Sequence, residues 1–223
     1  MLAPSFYPTH SIPDPQRQCW SYLLWAVFLV IVPVFIEAPL VRLAPSLCLF
    51  VAVGLLGLSR HYDNSFLWGF ALTWLCGAIY WGWFRFDPAW HLPLEALALP
   101  WAVWGWTKSW YRVGAHFYIG SLSGTALTDG YFYVNGLIPH WRGLMQNEAD
   151  PELLRPILQE AIKLVATSWG AFTTISLAAI LLAIALQFIT RLDPARWSLA
   201  GAILGTILVD LSFYFTSVRA ISI

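Results

Sequence analysis

The sequence predicts an all-α protein: a polytopic transmembrane helical bundle of about seven spans (six to seven), with one further amphipathic helix lying along the interface. Three observations predict it. The chain is 59% hydrophobic and only 11% charged, where soluble domains carry about a quarter charged residues; mean hydropathy is +0.65. Its apolar runs are continuous rather than alternating, which points to helices that satisfy their own backbone groups and away from a β-barrel. An apolar helical stretch also recurs: residues 120–133, GSLSGTALTDGYFY, return as 201–214, GAILGTILVDLSFY. Net charge is zero and there is no basic run, so nucleic acid is excluded as an expected partner and membrane lipid takes its place.

Residues 1–223 form a single transmembrane domain in this reading, with 1–19 as an N-terminal tail. That tail has four prolines and no positive region ahead of the apolar run, so the run from Trp20 is expected to stay as the first span rather than to be cleaved. Stretches close to the length needed to cross a bilayer are 20–36, 41–58 and 66–84. Glu37-Ala38-Pro39 makes a return between the first two, and Arg42 sits near enough to pair with Glu37. The run 92–106 is short and interrupted by Glu95 and Pro100, so it is expected to cross, to tilt or to re-enter. Spans five to seven are 115–137, ended by Pro139, then 171–189 and 199–218. Between five and six, residues 150–165 carry a helix start in Asp150, Pro151 and Glu152. Leu154, Ile157, Leu158, Ala161 and Val165 recur there at helical spacing, the mark of an interfacial amphipathic helix. Lysine and arginine divide six against six between the two sides. Three of one set lie in the longest loop, which sets the N-terminus on the cytoplasmic side.

At an offset of 81 residues, Gly120, Gly124, Thr125, Leu127, Asp129, Phe132 and Tyr133 match Gly201, Gly205, Thr206, Leu208, Asp210, Phe213 and Tyr214. At about 100° per residue, Gly120 and Gly124 share a stripe on span five, as do Gly201 and Gly205 on span seven. Small residues at that spacing let a neighbouring helix approach closely. Thr125 and Asp129 fall on another stripe, and so do Thr206 and Asp210. Four residues apart, each hydroxyl is placed to bond its own carboxyl along the helix. With one crossing between them the two spans run parallel, and both acids come to similar depths as an intramembrane polar pair. A charged acid at mid-bilayer costs about 2.5–3.5 kcal/mol, so the pair needs a partner, a proton or water. Two readings follow: polar locks between helices, or a proton or cation site.

His10, His61, His91, His116 and His140 form neither HxxxH nor HExxH, so no metal site is expected. Cys19, Cys48 and Cys76 contain no CxxC and read as small buried hydrophobes. The last four histidines lie near span ends and read as interfacial anchors, while His116 and His140, with Trp141 and Arg142, are candidate pigment or partner contacts. Residues 138–145, IPHWRGLM, form an expected contact surface, and 85–91, RFDPAWH, are expected to cap the opposite helix ends. A neutral imidazole can hold a chlorophyll magnesium, and the many Trp, Tyr and Phe suit flat pigments. Chlorophyll or carotenoid are therefore the cofactors weighed, though no residue pattern shows either. No nucleophile triad or phosphate loop is visible, and no catalytic residues are assigned: the chain reads as non-enzymatic.

The run GTALTDGYFYVNGLIPHWRGLMQ, followed by a capped acidic helix and two closing spans, resembles an uncharacterised, Trp-rich family of cyanobacterial integral membrane proteins catalogued as a domain of unknown function. That resemblance implies a thylakoid or plasma membrane. By association it implies an accessory or assembly factor contacting photosynthetic complexes, with photosystem subunits or other assembly factors as partners. A proton-coupled or small-solute transporter using Asp129 and Asp210 is the alternative that the residues themselves raise.

Overall fold

The structure is a computed structural model that describes residues 14–222. Most of the expected 1–19 tail, and His10, lie outside the described residues. Helix α1, Pro15–Leu43, starts where Asp14 accepts a hydrogen bond from the Gln16 amide at 3.0 Å and Pro15 takes the first helical position. It passes through Pro33 and Pro39 without a break, so the expected return at 37–39 is absent. The chain turns instead at Ala44, which is held away from helical geometry (φ −146°, ψ 67°) as the residue before Pro45 must be. Helix α2, Pro45–His61, runs back along α3, Ser65–Ile79, which Asn64 caps. A π-helical turn, Tyr80–Phe84, prolongs α3. Glu37 and Arg42 are now five residues apart on one helix and point to different faces, so their expected pairing does not form.

The short run 92–106 is discontinuous. It comprises α4, His91–Glu95, a 3-10 turn, Ala96–Ala98, and α5, Leu99–Trp106, with Pro100 in the first turn of the last piece. Helix α6, Arg112–Val134, ends at Asn135 and Gly136, whose φ of +67° reverses the chain. Residues 138–146 form a helix: α7, Ile138–Gln146, begins with Pro139 in its first turn. Helix α8, Pro151–Val165, is capped by Asp150 as expected and strongly amphipathic. It packs on α7 and on the last two helices, α9, Ser168–Phe188, and α10, Pro194–Ser222. No strand occurs among the described residues. Among the described residues three helices are long and apolar enough to cross a membrane: Pro15–Leu43, Ser168–Phe188 and Pro194–Ile221.

Contacts at rising sequence positions show that α1, α3, α6 and α10 run in one direction. Trp20 meets Trp197, and farther along α1 Val30 meets Gly205. Tyr22 meets Phe66, and Glu37 faces Gly77. Gly120 lies against Leu199, Gly124 against Thr206, and Thr128 bonds Asp210. The repeat therefore packs upon itself nearly in register. The four glycines of the repeat lie at these crossings: an added Cβ would sit 2.6 Å from the Leu199 carbonyl at Gly120, 2.1 Å from Thr206 Oγ1 at Gly124, 2.4 Å from the Leu23 carbonyl at Gly201 and 2.8 Å from Val30 Cβ at Gly205. The core is aromatic and small by turns, with Ala26, Val41, Ala52, Phe66, Phe70, Trp74 and Phe117 in its largest cluster.

Because α3 and α6 are parallel, their C-terminal ends share one side, and 85–91 meets 138–145 there rather than capping the opposite end. Trp141 Nε1 donates to the Arg85 carbonyl at 2.9 Å, and Arg142 pairs with Asp87 at 3.0 Å. Glu148 accepts from Arg85 at 2.8 Å and lies 3.4 Å from Arg42. The Arg85 hydrogen bond, helped by the charges of Arg42 and Arg85, holds the Glu148 carboxyl below its ordinary value of 4.5. A depressed acid stabilises the fold above its unfolded value, and the contribution is lost as pH falls through the folded value. Glu148→Gln is therefore expected to cost about 1 kcal/mol at neutral pH, solvent access keeping it small. Thermal melts in mild detergent should show the gap between variant and parent closing as pH drops below 4.5; a gap that persists in acid would show that Glu148 acts otherwise.

Candidate buried proton site

His91 and Glu95 are four residues apart and share one face of α4. Thr125 and Asp129 are likewise four apart on α6. The loop 85–90 lays α4 against α6 so that the two pairs interlock. His91 Nδ1 lies 2.8 Å from Asp129 Oδ1, and His91 Nε2 3.1 Å from Glu95 Oε1. Thr125 donates to Glu95 Oε2 at 2.8 Å. Tyr118, on the same face of α6, donates to the Glu95 carbonyl, which supplies a partner where the helix breaks after α4. The ring of Tyr80, brought round by the π-turn, stacks on His91 at 4.2 Å with 26° between planes. Side-chain exposure is 17% for His91, 16% for Glu95 and 13% for Asp129, so the charges are largely withdrawn from water.

Hydrogen-bond capacity fixes what this triad holds. An ionised carboxylate only accepts, and a neutral imidazole donates from one nitrogen alone. Both short contacts can be hydrogen bonds only if the imidazole is doubly protonated, or if one carboxyl carries a proton and gives it to the ring. Either way two protons are shared among three groups and the net charge is −1. Asp129 Oδ2 is buried and makes no hydrogen bond. The cluster thus keeps a negative charge away from water and presents one free acceptor oxygen. A single further proton there would neutralise it. Among the described residues no group of three or more His, Cys, Asp or Glu is arranged to hold a metal ion, whereas a proton needs no coordination shell.

The repeated polar stripe is arranged differently from the sequence reading. Thr125 bonds Glu95 rather than Asp129, and Thr206 bonds the Ala202 carbonyl at 3.3 Å rather than Asp210. Asp210 instead accepts from Thr128 at 2.9 Å across the α6–α10 crossing. Each carboxyl takes a cross-helix partner, while Thr206 stays on the backbone of its own helix. His91 is no interfacial anchor but the centre of the site. The spacing His91-x3-Glu95 in an apolar run, matched by Thr125-x3-Asp129, was the signal for it. His116 is closed in, stacked on Trp106 at 3.9 Å with Nδ1 against the Arg112 carbonyl at 2.8 Å. Trp141 and the exposed Arg142 bond the 85–91 loop. His140 lies in a shallow cleft beside Gly143, Ile157 and Glu160.

No curated protein and no solved structure is similar enough to the chain to match it. A family model does match, over residues 26–218, from within α1 into α10, and so takes in His91, Glu95, Thr125, Asp129 and Asp210. The chain belongs to that family, described as a protein of unknown function (DUF3120).

Proposed function

We propose that the protein is a non-enzymatic, seven-crossing integral membrane protein that moves protons, alone or coupled to a small solute, through the His91–Glu95–Asp129 triad. The observation that carries this reading is the imidazole held between two half-buried carboxyls with one buried acceptor oxygen left open. A helix interrupted at the site, with its freed carbonyl met by Tyr118, supports it, since broken helices at membrane depth accompany ion and proton sites. The common direction of α1, α3, α6 and α10, with α2, the α4–α5 segment and α9 returning, supports seven crossings and a cytoplasmic N-terminus by the charge count. Asp129, of the two acids raised by the repeat, sits at the site itself, and Asp210 next to it across Thr128.

The test is proton movement into proteoliposomes under an imposed pH gradient, followed with an entrapped dye. Asp129→Asn and His91→Gln are each expected to lower the rate at least ten-fold. Parent protein no faster than empty vesicles would end the proposal. An accessory role at photosynthetic complexes of a cyanobacterial thylakoid or plasma membrane is the second reading. Broad exposed aromatic surface on α1 and α5, including Trp20, Trp25, Phe28, Trp101 and Trp104, favours it as a surface for protein as well as lipid. Photosystem subunits or a pigment spectrum in material purified under mild conditions would support this reading.

A further inference from the structure

A second buried acid lies on α1, facing α3 one turn before Tyr80. Glu37 is 4% exposed, and its Oε1 makes no hydrogen bond. It sits on α1 opposite Gly77, whose missing Cβ would be 3.6 and 3.7 Å from its two carboxyl oxygens. The titratable groups facing it are Cys48 of α2, Cys76 of α3 and Glu95 at the end of α4; among the described residues no basic side chain pairs with it. A carboxylate so enclosed, with neither donor nor cation, is too costly to keep ionised. Three residues after Gly77 comes Tyr80, fully buried, with its ring on His91 and its hydroxyl near Trp141 but in no hydrogen bond of ordinary geometry. Glu37 Oε1, Tyr80 OH and Asp129 Oδ2 are thus three unmet polar atoms spread from α1, around the π-turn of α3, to α6. Buried polar atoms of this kind are met in native proteins by internal water or by a mobile proton, and π-turns inside helices recur at functional sites.

We propose that Glu37 is a second, separately loaded proton site, joined to the His91 triad past Gly77 and Tyr80, so that the triad exchanges protons toward α1. This rests on the proposed proton role of the triad, and the test separates the two. The first arm needs no variant. In the folded parent, dicyclohexylcarbodiimide should label Glu37. The protonated carboxyl adds across the carbodiimide, and the adduct rearranges to an N-acylurea with nothing leaving, so the labelled peptide gains the whole reagent mass. In the second arm, Glu37→Gln should take up no label at that position and lose at least ten-fold in proteoliposome proton flux. Tyr80→Phe should lose several-fold in flux while Glu37 stays labelled. Unlabelled Glu37 in the folded parent, or parental flux in Glu37→Gln, overturns the inference while leaving the triad proposal standing. Parental flux in His91→Gln overturns the triad proposal itself, whatever the label does.

Discussion

Gly114→Ala is expected to cost about 3 kcal/mol or more, and to leave little folded protein at physiological temperature. At Gly114 an added Cβ would sit 2.0 Å from the Ser65 carbonyl oxygen and 2.8 Å from the Gly69 backbone nitrogen; at Gly69 it would sit 2.1 Å from the Gly114 carbonyl oxygen. The obstructing atoms are backbone, so no side chain can rotate away and the two helices must part. Parting them uncovers Phe66, Phe70 and Phe117, which meet at this crossing, and loosens the register that sets α6 against α4. Gly69→Ala should behave alike. Gly54→Ala and Gly57→Ala make the control: nothing lies within 4 Å of a Cβ at either, and alanine in a helix is favoured over glycine by up to about 1 kcal/mol. Thermal denaturation in mild detergent checks all four. A Gly114→Ala protein that melts with the parent would show that α3 and α6 do not approach as described.

These two glycines show where sequence reading succeeds and where it stops. The repeat exposes Gly120, Gly124, Gly201 and Gly205 because periodicity within a helix is written in one dimension, and all four lie at close crossings. Gly69 and Gly114 belong to no repeat, and their need for closeness comes from pairing two helices distant in sequence. The elements were legible for similar reasons: Asp150-Pro151-Glu152 announces α8 through local capping, and the apolar runs announce α6, α9 and α10. The continuity of α1 through Pro39 was not, because packing against α10 and, around Pro39, against Gly77 and Gly82 overrides a local breaker. The site was half legible. Asp129 and Asp210 stand out as acids in apolar surroundings, but whether Thr125 bonds its own helix or Glu95 depends on how the broken α4 segment lies. A run that reads poorly as a span, with Glu95 inside it and His91 just ahead of it, marked the site by its irregularity.

His91→Gln is expected to destabilise the protein by about 3–5 kcal/mol, the scale of leaving buried charge without its partner. Without the imidazole, Glu95 and Asp129 keep two carboxylates in one apolar pocket, and Thr125 remains as a donor to Glu95 alone. Asp129→Asn should cost less, about 1–3 kcal/mol, because His91 keeps its contact with Glu95 at 3.1 Å. The telling protein is the double variant. If the three groups share their protons as one unit, removing Asp129's charge after His91 is gone relieves the repulsion, and His91→Gln/Asp129→Asn should be more stable than His91→Gln alone. Its departure from additivity should reach about 1–3 kcal/mol. An Asp210→Asn cycle against His91→Gln should couple more weakly, because Asp210 is bonded through Thr128 rather than to the ring. Additivity within about 0.5 kcal/mol for His91 and Asp129, measured by reversible denaturation in mixed micelles, would mean that the ring and the two carboxyls do not act as a unit. The shared-proton account would then have no physical basis, because everything claimed for the site depends on the imidazole bridging both carboxyls at once.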